Sequence, residues 1–372
     1  MFNKVYYIVK SRLHYYPPCV SQIKMLKDLG CEVTVLYGSC DENVLTELTS
    51  LGIECIMLSD KRGSAPGVLD KIINWLSFRK SLTAFLKKLD RNKDVLWFGN
   101  AESLLPMKGA LKGFSYIITY LELLDTMKFR LLMLKEMSKK AVAVVTCEET
   151  RSYLMKYWFG LQKLPYTIPN KPYAVETKRK CKPTTTAGKK ILEAVNGRKF
   201  VIYQGIFQDY DYLKIVAEVL AKDFPDYCLV MMGIDRHNIV DKIKNINPNT
   251  IYSDYIPAPK HLEVTSNADL GLLFYNPDSL NKAFCAPNKI FEYSFFGLPI
   301  LGNNIPGLEN TIGRANAGEC VEFEPESIRV AIHRLIENYE YYSGNAKTFY
   351  NSVDNIATMS MIVNACLIKQ RK

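Results

Sequence analysis

The chain predicts an α/β protein made of two parallel-sheet units, and three observations carry that expectation. Its 372 residues suit two α/β domains of ordinary size, ample for two cores. Between Lys4 and Tyr37, strand-like and helix-like stretches alternate at the spacing of a βαβ unit. Near Phe200, after a stretch rich in lysine, proline and threonine, a new apolar strand starts the same grammar again.

Hydrophobic residues make up 48% of the chain and charged residues 23%, a globular balance. No apolar run approaches the roughly 20 residues that a membrane helix needs. Met1 to Val9 enters a strand-like run with neither a long apolar core nor a small-residue cleavage site, so no secretory signal is expected. Ten cysteines without a C-x-x-C pair and four scattered histidines offer no metal-ligand spacing. A reducing cytoplasm, no metal and no cofactor are therefore expected. The net charge of +10 is uneven: residues 1–170 hold 24 Lys+Arg against 16 Asp+Glu, and residues 171–372 hold 24 against 22. The basic half should meet an anion. No aromatic-basic RNA-binding signature or helix-turn-helix pattern accompanies the charge, which favours a membrane surface or an anionic lipid carrier over nucleic acid.

In the first half, Lys4 to Val9 reads as a strand, Pro18 to Leu29 as a helix stopped by Gly30, and Glu32 to Tyr37 as a second strand. The loop Lys10 to Pro17 then lies at the carboxyl end of strand one, where open parallel sheets place ligands. Arg12 and His14 are candidates there, against the plainer reading of exposed loop residues. Asp41 to Ser50 reads as a helix, Ile53 to Leu58 as a strand, and Lys61 to Gly67 as a breaker-rich loop. In the long helix Leu69 to Leu89, Ile72, Ile73, Leu76, Leu82, Phe85 and Leu89 fall mostly along one stripe, with Lys71, Arg79, Lys80, Lys87 and Lys88 elsewhere. Such a helix can lie on an anionic membrane or pack its stripe on a sheet. Asp94 to Phe98 and Ser115 to Tyr120 read as strands followed by Glu102 and Glu122. Glu122 is either a functional carboxylate or a helix-start acid. Met127 to Lys140 reads as a helix, Ala141 to Thr146 as a strand and Cys147 to Phe159 as a helix, and Thr167 to Asn170 resembles the strand and asparagine that close the first domain in a known family named below.

In the second half, Lys171 to Lys190 reads as a linker. Phe200 to Tyr203 is a strand ended by Gln204 and Gly205, and Ile202 to Gly233 runs strand, glycine turn, helix, strand, glycine. Pro257 to Asn267 reads as a helix, Asp269 to Phe274 as a buried strand, Tyr275 to Ala286 as a loop, and Ile328 to Tyr342 and Gly344 to Lys372 as helices. The densest stretch is Ala286 to Thr311. Pro287 fits the first helical position, and Asn288 and Lys289 add donors at a helix start suited to an anion. Gly297 fits a left-handed cap, and Leu298 to Leu301 a short buried strand. Glu292 is the anomaly: an acid in the second turn of an apolar helix, aimed at a ligand hydroxyl or paired with Lys289 at the surface. Asn303, Asn304 and Gly307 precede a helix near Leu308 and offer backbone amides, or else serve as a cap and a turn.

The string Pro287-Asn288-Lys289, Phe291-Glu292-Tyr293, then Gly297 to Leu301, then Asn303 to Leu308 resembles the donor segment of family-four glycosyltransferases. That resemblance implies the GT-B fold: two Rossmann-like domains facing across a cleft, with boundaries at 1–170 and 171–350 and a terminal helix, 351–372, returning to the first. It implies retaining, metal-independent transfer of a sugar from a UDP- or GDP-linked donor to a saccharide or lipid-linked acceptor in surface polysaccharide assembly. It also implies Glu292 on the donor ribose and the helix start on the diphosphate. Gly205 would let backbone approach the diphosphate. Three departures stand out. Leu121 replaces the family's histidine beside Glu122, Asp211 replaces an arginine beyond Gly205, and Phe284 replaces the first acid of a glutamate pair. Sugar recognition would then fall to Asn281 or to Asn303 and Asn304, diphosphate neutralisation to helix starts, Lys289 and Lys282, and acceptor-side chemistry to Glu122, His14 and Arg12. The departures keep open a non-catalytic donor-binding partner subunit, and a nucleotide-sugar 2-epimerase is a further alternative.

Overall fold

A computed structural model describes residues 4–58 and 68–370; the expected loop Lys61–Gly67 lies outside these. The chain divides into two compact units, residues 1–173 with 354–372, and residues 174–353.

The first unit is a seven-stranded parallel sheet. Its chain order is β1 (Lys4–Arg12), α1 (Pro17–Asp28), β2 (Val33–Ser39), α2 (Glu42–Ser50), β3 (Glu54–Met57), α3 (Val68–Leu86), β4 (Asp94–Phe98), α4 (Ala101–Leu104), β5 (Ser115–Tyr120), α5 (Lys128–Lys140), β6 (Ala143–Thr146), α6 (Glu149–Phe159) and β7 (Tyr166–Thr167). The strands lie in the order β3-β2-β1-β4-β5-β6-β7. Steps towards β3 and steps towards β7 run in opposite directions, so right-handed crossovers put α1 and α2 on one face and α3 to α6 on the other. Central strands are consequently covered twice and apolar throughout, with Tyr7, Ile8, Val9 and Val95 to Phe98 all buried. The polar tips in this core are paired: Tyr7 donates to Gln22 (2.8 Å) and Trp97 to Thr119 (2.9 Å). Asp41 caps α2 through the Asn43 amide (2.9 Å).

The second unit runs α7 (Thr186–Val195), β8 (Lys199–Phe207), α8 (Tyr210–Asp223), β9 (Tyr227–Asp235), α9 (Ile239–Ile246), β10 (Thr250–Ser253), α10 (His261–Thr265), β11 (Leu270–Leu273), α11 (Leu280–Ala283), α12 (Asn288–Phe295), β12 (Ile300–Asn303), α13 (Pro306–Leu308), β13 (Gly318–Val321), α14 (Pro325–Glu337) and α15 (Tyr339–Ser352). Its six parallel strands lie in the order β10-β9-β8-β11-β12-β13. The last helix, α16 (Asn355–Gln370), belongs to the first unit, where Met359, Ile362 and Cys366 are buried in the core with Ile23 and Leu26 of α1.

Several elements differ from the sequence expectation. β1 continues past Val9 to Arg12 through a register shift, so Arg12 ends a strand instead of lying in a loop. The stretch read as a linker already contains α7, started by the Thr185 hydroxyl on the Gly188 amide (3.1 Å) and ended by Asn196 at φ 50°. β8 does not stop at Gly205. It stays paired with β9 through Gly205↔Gly233 to Phe207↔Asp235, because both glycines adopt positive φ (139° and 150°). A Cβ on Gly233 would stand 1.8 Å from the Gly205 carbonyl oxygen, so the two strands approach only with glycine there. The last helix of the Ile328–Tyr342 reading is two, broken at Asn338.

Candidate functional site

In the second unit the chain leaves β8 towards β9 and β10, then returns to β11 on the other side of β8. That reversal makes the carboxyl edge of β8 and β11 a topological switch point, where open sheets bind ligands. Gln204 and Gly205 stand at this edge on β8, and α12 begins beside it. The Lys289 amine lies 4.0 Å from where a Cβ on Gly205 would stand.

Pro287 is the N-cap of α12, with extended backbone (ψ 146°), and not its first helical residue; Asn288 and Lys289 open the helix. The first N–H groups of a helix have no acceptor within it, and they carry the positive end of its dipole. Gly297 ends the segment at φ 65°, the left-handed cap the sequence implied. One turn into α12, Glu292 is buried. Its Oε2 accepts from Gln204 Nε2 (2.6 Å) and lies 3.3 Å from His261 Nε2. Gln204 is itself held, since Thr265 donates to its Oε1 (2.9 Å). The surface Lys289–Glu292 pair is therefore not what forms. Burial pushes the Glu292 carboxyl up, but His261, then Lys289 and Gln204, more than offset this and hold it below the ordinary carboxylate value. Both contacts fall on Oε2, and Oε1 takes neither. His261 and Thr265 were not singled out from sequence. Their only signal was two polar residues one helical turn apart in a buried short helix.

Other candidates in this unit have defined partners. Asn303 is buried and tied to the Tyr275 backbone in both senses, accepting from its N–H (3.1 Å) and donating to its carbonyl (2.9 Å), which clamps the ends of β11 and β12. Asn304 is exposed and donates to Glu322 (3.1 Å). A Cβ on Gly307 would stand 2.4 Å from the Cys285 amide nitrogen, so this glycine lets α13 press on the 284–285 backbone. Asn281 lies on α11, half-buried. Lys282 forms an ion pair with Asp278 (2.7 Å). Asp211, at the position where the resemblance implies an arginine, is exposed in the first turn of α8, while nearby Asp209 is raised by burial, pulled back by Lys282 and raised again by Asp278. A groove of about 470 Å³ lined by Glu218, Lys222, Asp223, Glu326 and Arg329 lies at the C-terminal end of α8, the opposite edge of the sheet.

In the first unit the corresponding reversal is at β1 and β4. Arg12 is exposed and donates to the Tyr15 hydroxyl (2.8 Å), stacking over that ring at 5.2 Å. His14 meets the Tyr15 ring edge-on at 4.5 Å, and its buried Nδ1 has no partner. Burial lowers the His14 pKa, Asp41 raises it and Arg12 lowers it, for a net decrease. Glu102 pairs with Lys10 (2.8 Å). Glu122 is exposed in an irregular segment after β5, before α5 begins, so it is not a helix-start acid. Leu121 gives its carbonyl to Arg151 (2.7 Å).

No protein-family model and no curated protein matches the sequence. Solved structures match over nearly the whole chain. Sucrose-phosphate synthase from Thermosynechococcus elongatus superposes with a TM-score of 0.66 at 15% identity, covering 99% of this chain and 98% of that one. Anabaena HepE in complex with UDP-glucose gives 0.70 at 12%, covering 98% and 99%. A glycosyltransferase from Rickettsia africae gives 0.65 at 14%, covering 100% and 98%. The fold is that of these glycosyltransferases: two Rossmann-like parallel sheets of seven and six strands in one chain, the GT-B type.

Proposed function

We propose that the protein is a GT-B glycosyltransferase that binds a nucleotide-sugar on its second unit and passes the sugar to an acceptor held by the first. The observation that carries this reading is the buried Glu292 carboxylate, fixed on Oε2 by Gln204 and His261 beside the α12 start, Lys289 and Gly205. A carboxylate held ionised in the interior with one oxygen uncommitted suits a vicinal diol such as a ribose. A helix start with a lysine beside it suits a diphosphate, whose charge grows as the sugar leaves. The whole-length likeness to a structure that holds UDP-glucose supports UDP as the nucleotide.

In this reading Oε1 of Glu292 accepts from the ribose, and the amides of Asn288 and Lys289 with the Lys289 amine stabilise the leaving diphosphate. Glu122, His14 and Arg12 form the acceptor side. Retention of configuration, transfer without a metal and a lipid-linked saccharide acceptor in polysaccharide assembly follow from the sequence resemblance, and a cytoplasmic location from the ten cysteines without a C-x-x-C pair. A second reading, a donor-binding subunit without turnover, is favoured by Lys282 being taken by Asp278 and by Asp209 standing where phosphate charge would be met.

Thermal stabilisation against a panel of nucleoside diphosphates and nucleotide-sugars tests the site. A ligand that binds only the folded state adds about 2.7 kcal/mol at a hundredfold excess over its dissociation constant. The expected result is a shift with UDP and one UDP-sugar, largely lost in Lys289→Met and Glu292→Ala. No shift with any member of the panel overturns the reading. A shift without transfer to any acceptor, and without conversion of the donor alone, favours the subunit.

A further inference from the structure

Helical geometry divides the polar residues of α10 between two faces. His261 and Thr265, one turn apart, share the face that meets Glu292 and Gln204. Glu263 lies roughly 200° round the axis from His261, on the far side. It is nonetheless buried. Its Oε2 accepts from the Thr184 amide (2.6 Å), the Thr184 hydroxyl stands 2.8 and 3.0 Å from its two oxygens, and Lys260 donates to its Oε1 (3.0 Å). Lys260 also donates to the Thr184 hydroxyl oxygen (3.0 Å), which closes the cluster. Burial pushes this carboxyl up, but the Thr184 amide, then Lys260 and the Thr184 hydroxyl, more than offset it. None of the donor contacts proposed above uses Glu263, so a buried carboxylate is left with a different task.

Thr184 belongs to the segment that opens the second unit, and that segment fastens the end of α10 as well. The Lys180 amide donates to the Ser266 carbonyl (3.0 Å), and Asn267 Nδ2 donates to the Cys181 carbonyl (2.8 Å). A helix of five residues cannot hold itself in place. Leu262 and Val264 pack in one core cluster with Ile290 and Phe291 of α12, which presses α10 inward. Apolar packing has no preferred direction, whereas a hydrogen bond weakens steeply as its angle opens. The roll of α10 about its axis is accordingly set by the polar contacts on its two faces. A roll that slackens Glu263 also turns His261 away from Glu292.

We infer that Glu263 is a positioning residue for the donor site: clamped to Thr184 and Lys260, it fixes the roll of α10 and so holds His261 on Oε2 of Glu292, leaving Oε1 for the ribose. This rests on the nucleotide-sugar reading, but half of its test needs no ligand. In imidazole NMR spectra of the unliganded full chain, the His261 signal, assigned with His261→Gln, should move in Glu263→Ala and in Thr184→Val towards its position in Glu292→Gln. It should stay near the wild-type position in Glu263→Gln, whose amide oxygen still accepts from Thr184. Calorimetry then compares UDP with 2′,3′-dideoxy-UDP, which lacks both ribose hydroxyls. The wild type should prefer UDP about 10- to 100-fold, and Glu263→Ala should cut that preference about 3- to 30-fold while binding the dideoxy nucleotide as before. Thr184→Val alters an exposed residue and should keep the wild-type melting temperature, which separates a shifted His261 from a loosened fold. A His261 signal unmoved in both variants overturns the inference. So does an equal loss for the two nucleotides, the result of a merely structural role. A wild type without preference for UDP faults the ribose contact itself, and the imidazole spectra then still decide whether Glu263 holds the pair.

Discussion

His261 Nε2 and Glu292 Oε2 meet at 3.3 Å in the interior of the second unit, joining the start of α10 to the second turn of α12. The pair ties together two helices that pack on the same face of the sheet, and Gln204 on β8 completes it. Removing a hydrogen-bonding partner of a buried carboxylate leaves that charge uncompensated. His261→Ala should destabilise the protein by roughly 2–4 kcal/mol in urea denaturation and weaken UDP binding in the same variant. Stability equal to wild type would show that the pair does not hold these helices.

The same carboxylate gives a pH dependence with a defined sign. Its folded-state pKa lies below the ordinary value of 4.5, so its stabilisation is full above 4.5 and is lost as pH falls through the lower folded value. The stability difference between wild type and Glu292→Gln should be largest near neutrality and shrink below about pH 4.5. A difference that grows on acidification would contradict the assignment.

Lys289 is half-buried and belongs to no core cluster, so its charge can be removed at little cost to the fold. Lys289→Met should weaken UDP binding about 10- to 100-fold, a charge-assisted contact of roughly 1.5–3 kcal/mol, while leaving uridine binding unchanged. Calorimetry on the two ligands separates a phosphate contact from a general disturbance. Equal losses for both would argue against it.

Asn303→Ala should lose about 1–3 kcal/mol of stability, because it strips the Tyr275 amide and carbonyl of their partners. Asn304→Ala, at an exposed side chain, should change stability by less than about 0.5 kcal/mol. Thermal melts of the two variants measure this contrast. If Asn304 contacts the sugar, its variant loses donor affinity with an unchanged melt.

His14 has a pKa below the ordinary 6.5, through burial and the Arg12 charge against the pull of Asp41. A lowered histidine value means the unfolded chain takes up the proton first, so its contribution is present above 6.5 and lost as pH falls through the folded value. An NMR titration, with His14→Gln to assign its signal among the four histidines, should place its midpoint below 6.5. A midpoint above 6.5 would mean that Asp41 dominates.

The double α/β layout was legible because strand length and apolar runs are local properties: Asp94–Phe98 and Ser115–Tyr120 end where the sequence says. Gly297 was legible for the same reason, a helix stop demanding a left-handed residue. The register past Gly205 was not. A positive φ lets glycine either end a strand or carry it past a neighbour, and only the facing Gly233 decides between them. α7 was hidden because its cap, Thr185, sits in a threonine run that also describes a loop. The pairing of Glu292 was closed to sequence reading altogether: Lys289 lies three residues away, yet the carboxylate turns inward to a histidine on another helix. The stripe on α3 misled in a different way, since periodicity finds apolar faces but not which of two is covered: Phe78, Leu82 and Leu86 are buried, while Ile72, Ile73 and Leu76 are about half exposed.

The return of α16 to the first unit sets an order of assembly during synthesis. Residues 174–353 are complete and able to close their sheet before α16 has been made. The first unit, though its seven strands emerge earlier, has no Met359, Ile362 or Cys366 to cover the apolar sides of Ile23 and Leu26 until then. The half of the molecule translated first is thus the half finished last, and through that interval it carries an uncovered surface for chaperones to hold.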